Sequence, residues 1–487
     1  MNVLKDILYK VPIDAVTGNT SVAVNALCFD SRKVSLNDVF VAIRGTESDG
    51  HAYIEGAVKK GAVAVVCEEI PKDIVNGITY VQVSDTHAAL AIMASNYYGN
   101  PSVNLKMVGV TGTNGKTTIA TLLYQLFRKA GYKVGLLSTV KILVDDKEYK
   151  ATHTTPDPVT INYYLDLMTQ EGVEYCFMEV SSHGIAQKRT QGLHFTGGVF
   201  TNLTHDHLDY HNTFAAYRDV KKSFFDNLPK SAFALTNVDD KNGIVMMQNT
   251  AAKKYTYALK SYADYRAKIL ENQFGGLLLK IGENEVWVKL VGRFNAYNML
   301  AIYAVARLLG LEEMEVLRLL SELDSVQGRF QYFISGKKIT TIVDYSHTPD
   351  SLRNVLETIN SIRTGNEELI TVVGCGGDRD KAKRPLMAAI ASELSTRAIF
   401  TSDNPRTEDP EAIIKDMEKG VEPLNFKKTL SITDRKQAIK AACQMAGEND
   451  IILIAGKGHE TYQEINGVRK DFDDFKIAEE MMKELHK

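Results

Sequence analysis

An apolar run over residues 105–110 ends at Thr-Gly-Thr-Asn-Gly-Lys-Thr-Thr (111–118), and residues 117–129 continue in a helical pattern that Gly131 stops. A further apolar run over 134–137 completes strand, turn, helix and strand, the βαβ unit of a parallel sheet. Small residues between strand and helix aim several backbone N–H groups at one spot, where the helix dipole also favours an anion. The phosphates of ATP fit such a cradle. Gly112, Thr113, Asn114 and Gly115 form it, Lys116 reaches the terminal phosphates, the Thr117 hydroxyl ligates magnesium and Thr118 assists. The position that carries the first glycine in a strict phosphate loop is Val110, with Gly109 and Gly112 close by.

A chain of 487 residues exceeds one hydrophobic core and implies about three domains. Ahead of the loop, strands over 39–43 and 62–66 with a helix over 53–60 make a small α/β unit. Turn residues at 97–102 separate it from the central stretch. That stretch adds strands over 174–180 and 197–202, an antiparallel addition over 275–291 and a helix over 295–309. Beyond Gly328, strands over 340–344, 369–373, 398–401 and 450–454 alternate with helices over 349–362 and 385–394, the pattern of a doubly wound, Rossmann-like domain. The expected fold is α/β in three domains, 1–101, 102–328 and 329–487, the middle one a P-loop ATPase unit with a parallel sheet.

Net charge is −3 with both signs mixed along the chain, which argues against nucleic acid or a membrane surface and for small-molecule partners. Five scattered cysteines without a Cys-x-x-Cys pair argue against a disulfide framework or zinc. Charge in the first residues argues against a signal peptide, so the chain is expected in the cytoplasm, and it is separately expected to act as a monomer.

In such a sheet, carboxylates and imidazoles at neighbouring strand ends complete a magnesium site, because Mg²⁺ takes oxygen ligands and tolerates an imidazole. Met-Glu-Val-Ser-Ser-His-Gly (178–184) offers Glu179, and Thr-His-Asp-His-Leu-Asp-Tyr-His (204–211) clusters both groups.

With these stand His-Thr-Thr-Pro-Asp-Pro (153–158), the segment GRFNAYNMLAI (292–302), DYSHTPD (344–350), GCGGDRDKAKRPLM (374–387), DNPRTEDP (403–410) and AGKGHE (455–460). The whole set resembles the Mur ligases of bacterial cell-wall synthesis. Its C-terminal segments are similar to those of the branch that adds the third amino acid to UDP-N-acetylmuramoyl-L-alanyl-D-glutamate. The resemblance implies ATP-driven amide synthesis: the γ-phosphate converts the D-glutamate carboxylate to an acyl phosphate, which the incoming amine attacks.

It further implies roles for residues of this chain. Glu179 and His207 become metal ligands beside Thr117, with Lys116 neutralising developing charge. Lys221, in YRDVKKSFF (217–225), matches a lysine that captures carbon dioxide as a carbamate and holds a second magnesium. Asn295 falls to adenine, Arg329 and Asp344 to ribose and phosphates, and His347 to the same pocket. Ser31, Thr154, Thr155, Ser181, Gln187 and Arg189 match the acceptor site. Asp403, Asn404, Pro405 and Arg406 follow a strand end, where Arg406 suits a carboxylate that meso-diaminopimelate has and L-lysine lacks. Arg379, Gly456 and Glu460 match the rest of that pocket, Glu460 taking the distal ammonium. The alternatives are an L-lysine-adding ligase of the same branch, against which DNPR speaks, a folylpolyglutamate synthetase, against which the N-terminal domain speaks, and a P-loop regulatory ATPase. Nucleotide residues on two domains predict that the last domain closes on binding.

Overall fold

The computed structural model describes residues 2–45, 48–204 and 208–487. Three sheets, each covered by helices, carry the architecture. The first has five strands in the order Ala15–Thr17, Thr79–Gln82, Ala64–Cys67, Val39–Val41 and Leu27–Cys28, parallel except for the first pair. Helix Thr86–Tyr97 covers it, capped by Asp85, whose carboxylate accepts the Ala88 N–H.

The central sheet has eleven strands. Its parallel part runs Val134–Leu137, Tyr175–Glu179, Lys106–Thr111, Gly197–Phe200, Phe233–Asn237, Lys253–Ala258. Lys106–Thr111, first of these in the chain, has later strands on both sides, so the strand order reverses at its carboxyl end. Ligands bind at such a switch point. Strand Tyr265–Gln273 and the hairpin Gly276–Ile281 and Asn284–Val288 extend one edge, the hairpin antiparallel as the alternation over 275–291 predicts.

Helix Lys116–Lys129 rises from the loop after that strand. Its apolar side, including Ile119, Leu122, Leu123, Leu126 and Phe127, is buried in the central core. Phe127 meets Phe177 and Tyr175 at ring distances of 5.2 and 4.5 Å, so Phe127→Ala would cost about 3–5 kcal/mol and loosen the helix that aims the loop.

The last sheet has six strands, Gln331–Ile334 antiparallel to Thr340–Asp344, then Ile451–Ala455, Leu369–Val373, Arg397–Phe400 and Thr429–Ser431 in parallel. Pro at the first turn and a reciprocal Thr348–Ser351 capping box start helix Pro349–Ile362. No described helix is long and apolar enough to cross a membrane.

Candidate functional site

Strand Lys106–Thr111 ends where Gly112 has φ +146°, and Gly115, at φ +90°, precedes helix Lys116–Lys129. A Cβ on Gly112 would stand 1.9 Å from Thr201 Oγ1, and one on Gly115 2.7 Å from Asn298 Oδ1. Both positions therefore require glycine. Val110 lies inside the strand, fully buried and paired in register with Glu179, so the turn opens only after Thr111.

Neighbouring strands brace the loop. Asn202 accepts the Thr113 N–H through its carbonyl at 2.8 Å and the Asn114 N–H through Oδ1 at 3.0 Å. Lys116 Nζ donates to the Gly112 and Thr113 carbonyls at 3.0 and 2.8 Å.

The Val110–Glu179 register sets the Glu179 carboxylate beside the loop, 1% exposed. Thr117 Oγ1 donates to Glu179 Oε2 at 2.9 Å, and the Thr139 N–H donates to Oε1 at 2.7 Å. Hydroxyl and carboxylate side by side form a hard oxygen donor set that suits Mg²⁺. No group of three or more His, Cys, Asp or Glu that could hold a metal occurs among the described residues. The expected ligand His207 lies outside them. Lys221, on helix Phe214–Asp226 and 1% exposed, donates to the Gly112 carbonyl at 2.9 Å and lies over the Tyr217 ring.

The matched acceptor residues of the central sheet form one hydrogen-bonded cluster. Thr155 Oγ1 donates to the Glu179 carbonyl and accepts the Ser181 N–H, both at 2.9 Å. Ser181 caps helix Ser182–Ala186, and Thr154 accepts from Thr139. Arg189 grips Gln187 Oε1 with two N–H groups and reaches the Thr155 carbonyl at 2.6 Å. Ser31 stands apart, in the first unit, where its carbonyl accepts from Lys60 Nζ.

The third unit closes the site. Arg329 Nη2 donates to Thr117 Oγ1 at 3.1 Å, and its guanidinium stacks 4.5 Å above Tyr345. Asn114 Nδ2 donates to Asp350 Oδ2 at 3.1 Å. Asp344 accepts the Phe330 N–H at 2.7 Å, and burial pushes its carboxyl above the usual range. Asn295 is buried with both polar ends engaged, Nδ2 on the Val291 carbonyl and Oδ1 on Asn298. His459, against Tyr345, is held down to about 3 by burial first and then by Arg329, His347 and Lys457, so its imidazole stays neutral.

Two loops of this unit are clamped to each other. Arg406, at φ +52°, donates to the Gly377 carbonyl at 2.6 Å, and the Gly377 N–H donates to the Asn404 carbonyl at 2.9 Å. Arg384, 1% exposed, reaches Glu408 and Asp416, and Glu408 also accepts the Asp378 N–H. Asn404 Nδ2 donates to Glu460 Oε2 at 2.7 Å.

A single cavity of ≈ 2010 Å³ collects these groups. Residues 113–118, Glu179 and Lys221 line it, as do Thr154, Thr155, Ser181, Gln187 and Arg189. So do Asn295, Arg329, Asp344, His347, Arg379, Arg406 and Glu460. Gly112, Asp403, Asn404, Pro405 and Gly456 do not reach its wall. Sequence reasoning missed the cavity-lining Asp350, Tyr345 and His459, although each lies inside one of the C-terminal motifs. The arrangement can hold a polyphosphate, a metal, and a substrate bearing both a carboxylate and an ammonium in one space.

Family models match the Mur ligase family catalytic domain at residues 23–98, the Mur ligase middle domain at 110–306 and the Mur ligase glutamate ligase domain at 328–458. The UDP-N-acetylmuramoyl-L-alanyl-D-glutamate–2,6-diaminopimelate ligase of Cytophaga hutchinsonii is 55% identical over 485 residues, covering 99% of this chain and 100% of its own. That of Bacteroides thetaiotaomicron is 53% identical over 478 residues, covering 98% and 99%. A solved structure of a ligase of the same name superposes with a TM-score of 0.70 at 32% identity, covering 100% of this chain and 99% of that one. MurF of Thermotoga maritima in complex with ADP shares the fold, with a TM-score of 0.62 at 20% identity, covering 95% and 97%.

Proposed function

The chain belongs to the Mur ligase family, and from that premise we propose that it is the ATP-dependent ligase that adds meso-diaminopimelate to the D-glutamate of UDP-N-acetylmuramoyl-L-alanyl-D-glutamate. The observation that carries this reading is the shared cavity. Phosphate loop, acceptor cluster, Arg406 and Glu460 line one space, as a reaction that joins three substrates requires.

Two anions must meet, the triphosphate and the acceptor carboxylate. Lys116 and the N-terminus of helix Lys116–Lys129 neutralise the first, while Arg189, rigid against Gln187, orients the second. The γ-phosphoryl passes to the carboxylate and ADP leaves. Arg406 and Glu460 hold the distal head of the amine, whose other amino group, in its neutral form, adds to the acyl carbon; the adduct collapses as the C–O bond to phosphate breaks, and the nitrogen's extra proton passes to the departing phosphate or to water. Thr117 and Glu179 fit one magnesium ion, which when bound would neutralise charge on the phosphates.

Lys221 is assigned as the residue that would carry a carbamate and, so modified, would hold a second magnesium ion. Its burial beside the phosphate loop supports this, since an anion there is tolerable only next to cations. Residues 1–101 are assigned to acceptor binding, 102–328 to ATP and 329–487 to the amino acid. The protein acts as a cytoplasmic monomer on soluble substrates, and its last domain closes on ligands.

Phosphate release with the UDP-muramoyl dipeptide, compared across diaminopimelate, lysine, ornithine and no amine, tests the reading. Release that requires both acceptor and diaminopimelate is expected. Preference for lysine would transfer the chain to the sister activity, and release without acceptor or amine would make it a plain ATPase.

A further inference from the structure

We propose that Lys457 is a positioning residue for amine selection, a buried cation that fixes Glu460 and balances its charge so that a two-charged head group is preferred over a lone ammonium. The inference rests on the reading of Glu460 and Arg406 as partners of the amine substrate.

Lys457 has no exposed surface and does not line the cavity. Its ammonium donates to Asn404 Oδ1 at 3.0 Å and to Glu460 Oε2 at 3.2 Å, and sits 5.5 Å from the Tyr462 ring centre. Asn404 Nδ2 donates to the same Glu460 oxygen at 2.7 Å, while the Glu464 N–H donates to Asn404 Oδ1 at 3.0 Å. Both ends of the Asn404 amide are thereby used, its oxygen toward the ammonium and its nitrogen toward the carboxylate.

Glu460 Oε2 thus receives two donors from behind, while the residue itself lines the cavity. A lysine placed in the interior without touching substrate is costly unless it is paired. Here the pairing restrains the carboxylate, and it also cancels much of the pull that Glu460 would exert on any cation. The other carboxylate of this corner, Asp403, lies 4.0 Å from the buried Arg435, which is itself held by Asp474 at 2.7 Å. A Glu460 carboxylate offset in this way by Lys457 gains little from a bare ammonium. The pocket gains when an ammonium reaches Glu460 and a carboxylate reaches Arg406 together, which is the distal head of a diamino diacid.

The test is steady-state phosphate release by the full chain carrying Lys457→Met, Lys457→Arg, and Lys457→Met in a Glu460→Gln background. Lys457→Met should raise KM for diaminopimelate by about 10–100-fold, the loss expected for hydrogen bonds to a charged group. Turnover at saturation should change by less than about threefold, with KM for ATP and acceptor unmoved. The preference for diaminopimelate over lysine should narrow, Lys457→Arg should recover part of it, and Lys457→Met should add little once Glu460 is Gln. An unchanged KM for diaminopimelate, or an equal rise in all three KM values, would overturn the proposal. Should Lys457→Met fail to fold, Asn404→Ala, which breaks the same relay, must show the selective rise or the proposal falls. Wild-type release without diaminopimelate would instead sink the functional reading itself.

Discussion

The two junctions of the central unit are built differently. Toward the N-terminal unit, helix Thr86–Tyr97 packs directly on helix Pro158–Gln170. Val159 joins the N-terminal core, Tyr97 meets Tyr98 at 5.0 Å, and Tyr98 meets Tyr163 at 6.3 Å. Toward the C-terminal unit, Val291, Phe274 and Phe294 join the C-terminal core, Phe294 meeting Phe330 at 6.0 Å, but beside them stand long-range polar bonds, Asn114 to Asp350 and Arg329 to Thr117, around the large cavity. A packed apolar junction permits few alternative arrangements, whereas polar bonds exchange with water or ligand at little net cost. The first junction is suited to holding the N-terminal unit still, and the second, which borders the cavity, to admitting ligands.

Substitutions on the polar side should therefore act on kinetics, and the largest effect is expected at Lys221. Lys221→Ala should lower turnover by about 10²–10³-fold or more, and added bicarbonate should not restore it. Phosphate release by protein whose melting curve shows it folded is the measurement; normal activity would remove Lys221 from the site. Next comes Arg406→Ala, which should raise KM for diaminopimelate by about 10–100-fold while leaving KM for ATP alone. A rise confined to ATP would break the division of the polar junction into nucleotide and amine halves.

The packed side should show the opposite signature. Tyr98→Ala removes a half-buried ring and should lower stability by about 1–2 kcal/mol with turnover nearly unchanged, read by denaturant melts and phosphate release. A selective rise in KM for the acceptor would show that this junction also tunes binding.

How far the sequence anticipates this depends on the same division. Within one sheet, continuous apolar runs bounded by Gly, Pro and capping residues mark the elements, so strands Thr340–Asp344 and Leu369–Val373 and helix Pro349–Ile362 fall where the pattern predicts. The glycines at 112 and 115 announce the loop because only they fit its backbone. Helix Arg293–Leu308 starts two residues early, since Gly292 at φ +94° is its boundary and Arg293 already turns helical. Contacts between domains carry no such local signal. Asp350 reads as an ordinary first-turn helix acid until tertiary packing brings Asn114 to it. Lys457 reads as a surface charge beside glycines until its burial is seen. Ser31, inferred from family pattern alone, is not brought to the cavity in this arrangement.

The smallest expected effect tests whether every charge on the polar side serves kinetics. Glu408 stands two residues after Arg406, yet its carboxylate faces Arg384, with Lys381 nearby. The Arg384 hydrogen bond, and then the Asp378 N–H, hold it down to about 2 from an ordinary 4.5. A carboxyl depressed in the folded state adds stability that is present in full above its unfolded value and is lost as pH falls toward the folded one. Wild type should therefore melt above Glu408→Gln at neutral pH, by no more than about 2–4 °C for a partly exposed pair. The gap should persist down to about pH 4.5 and narrow below it, toward about pH 2. A gap independent of pH would show that shape rather than charge makes the clamp. An unchanged melt with a raised KM for diaminopimelate would place Glu408 with Arg406 among the groups that select the amine, and the polar junction would then contain no purely structural charge at this loop.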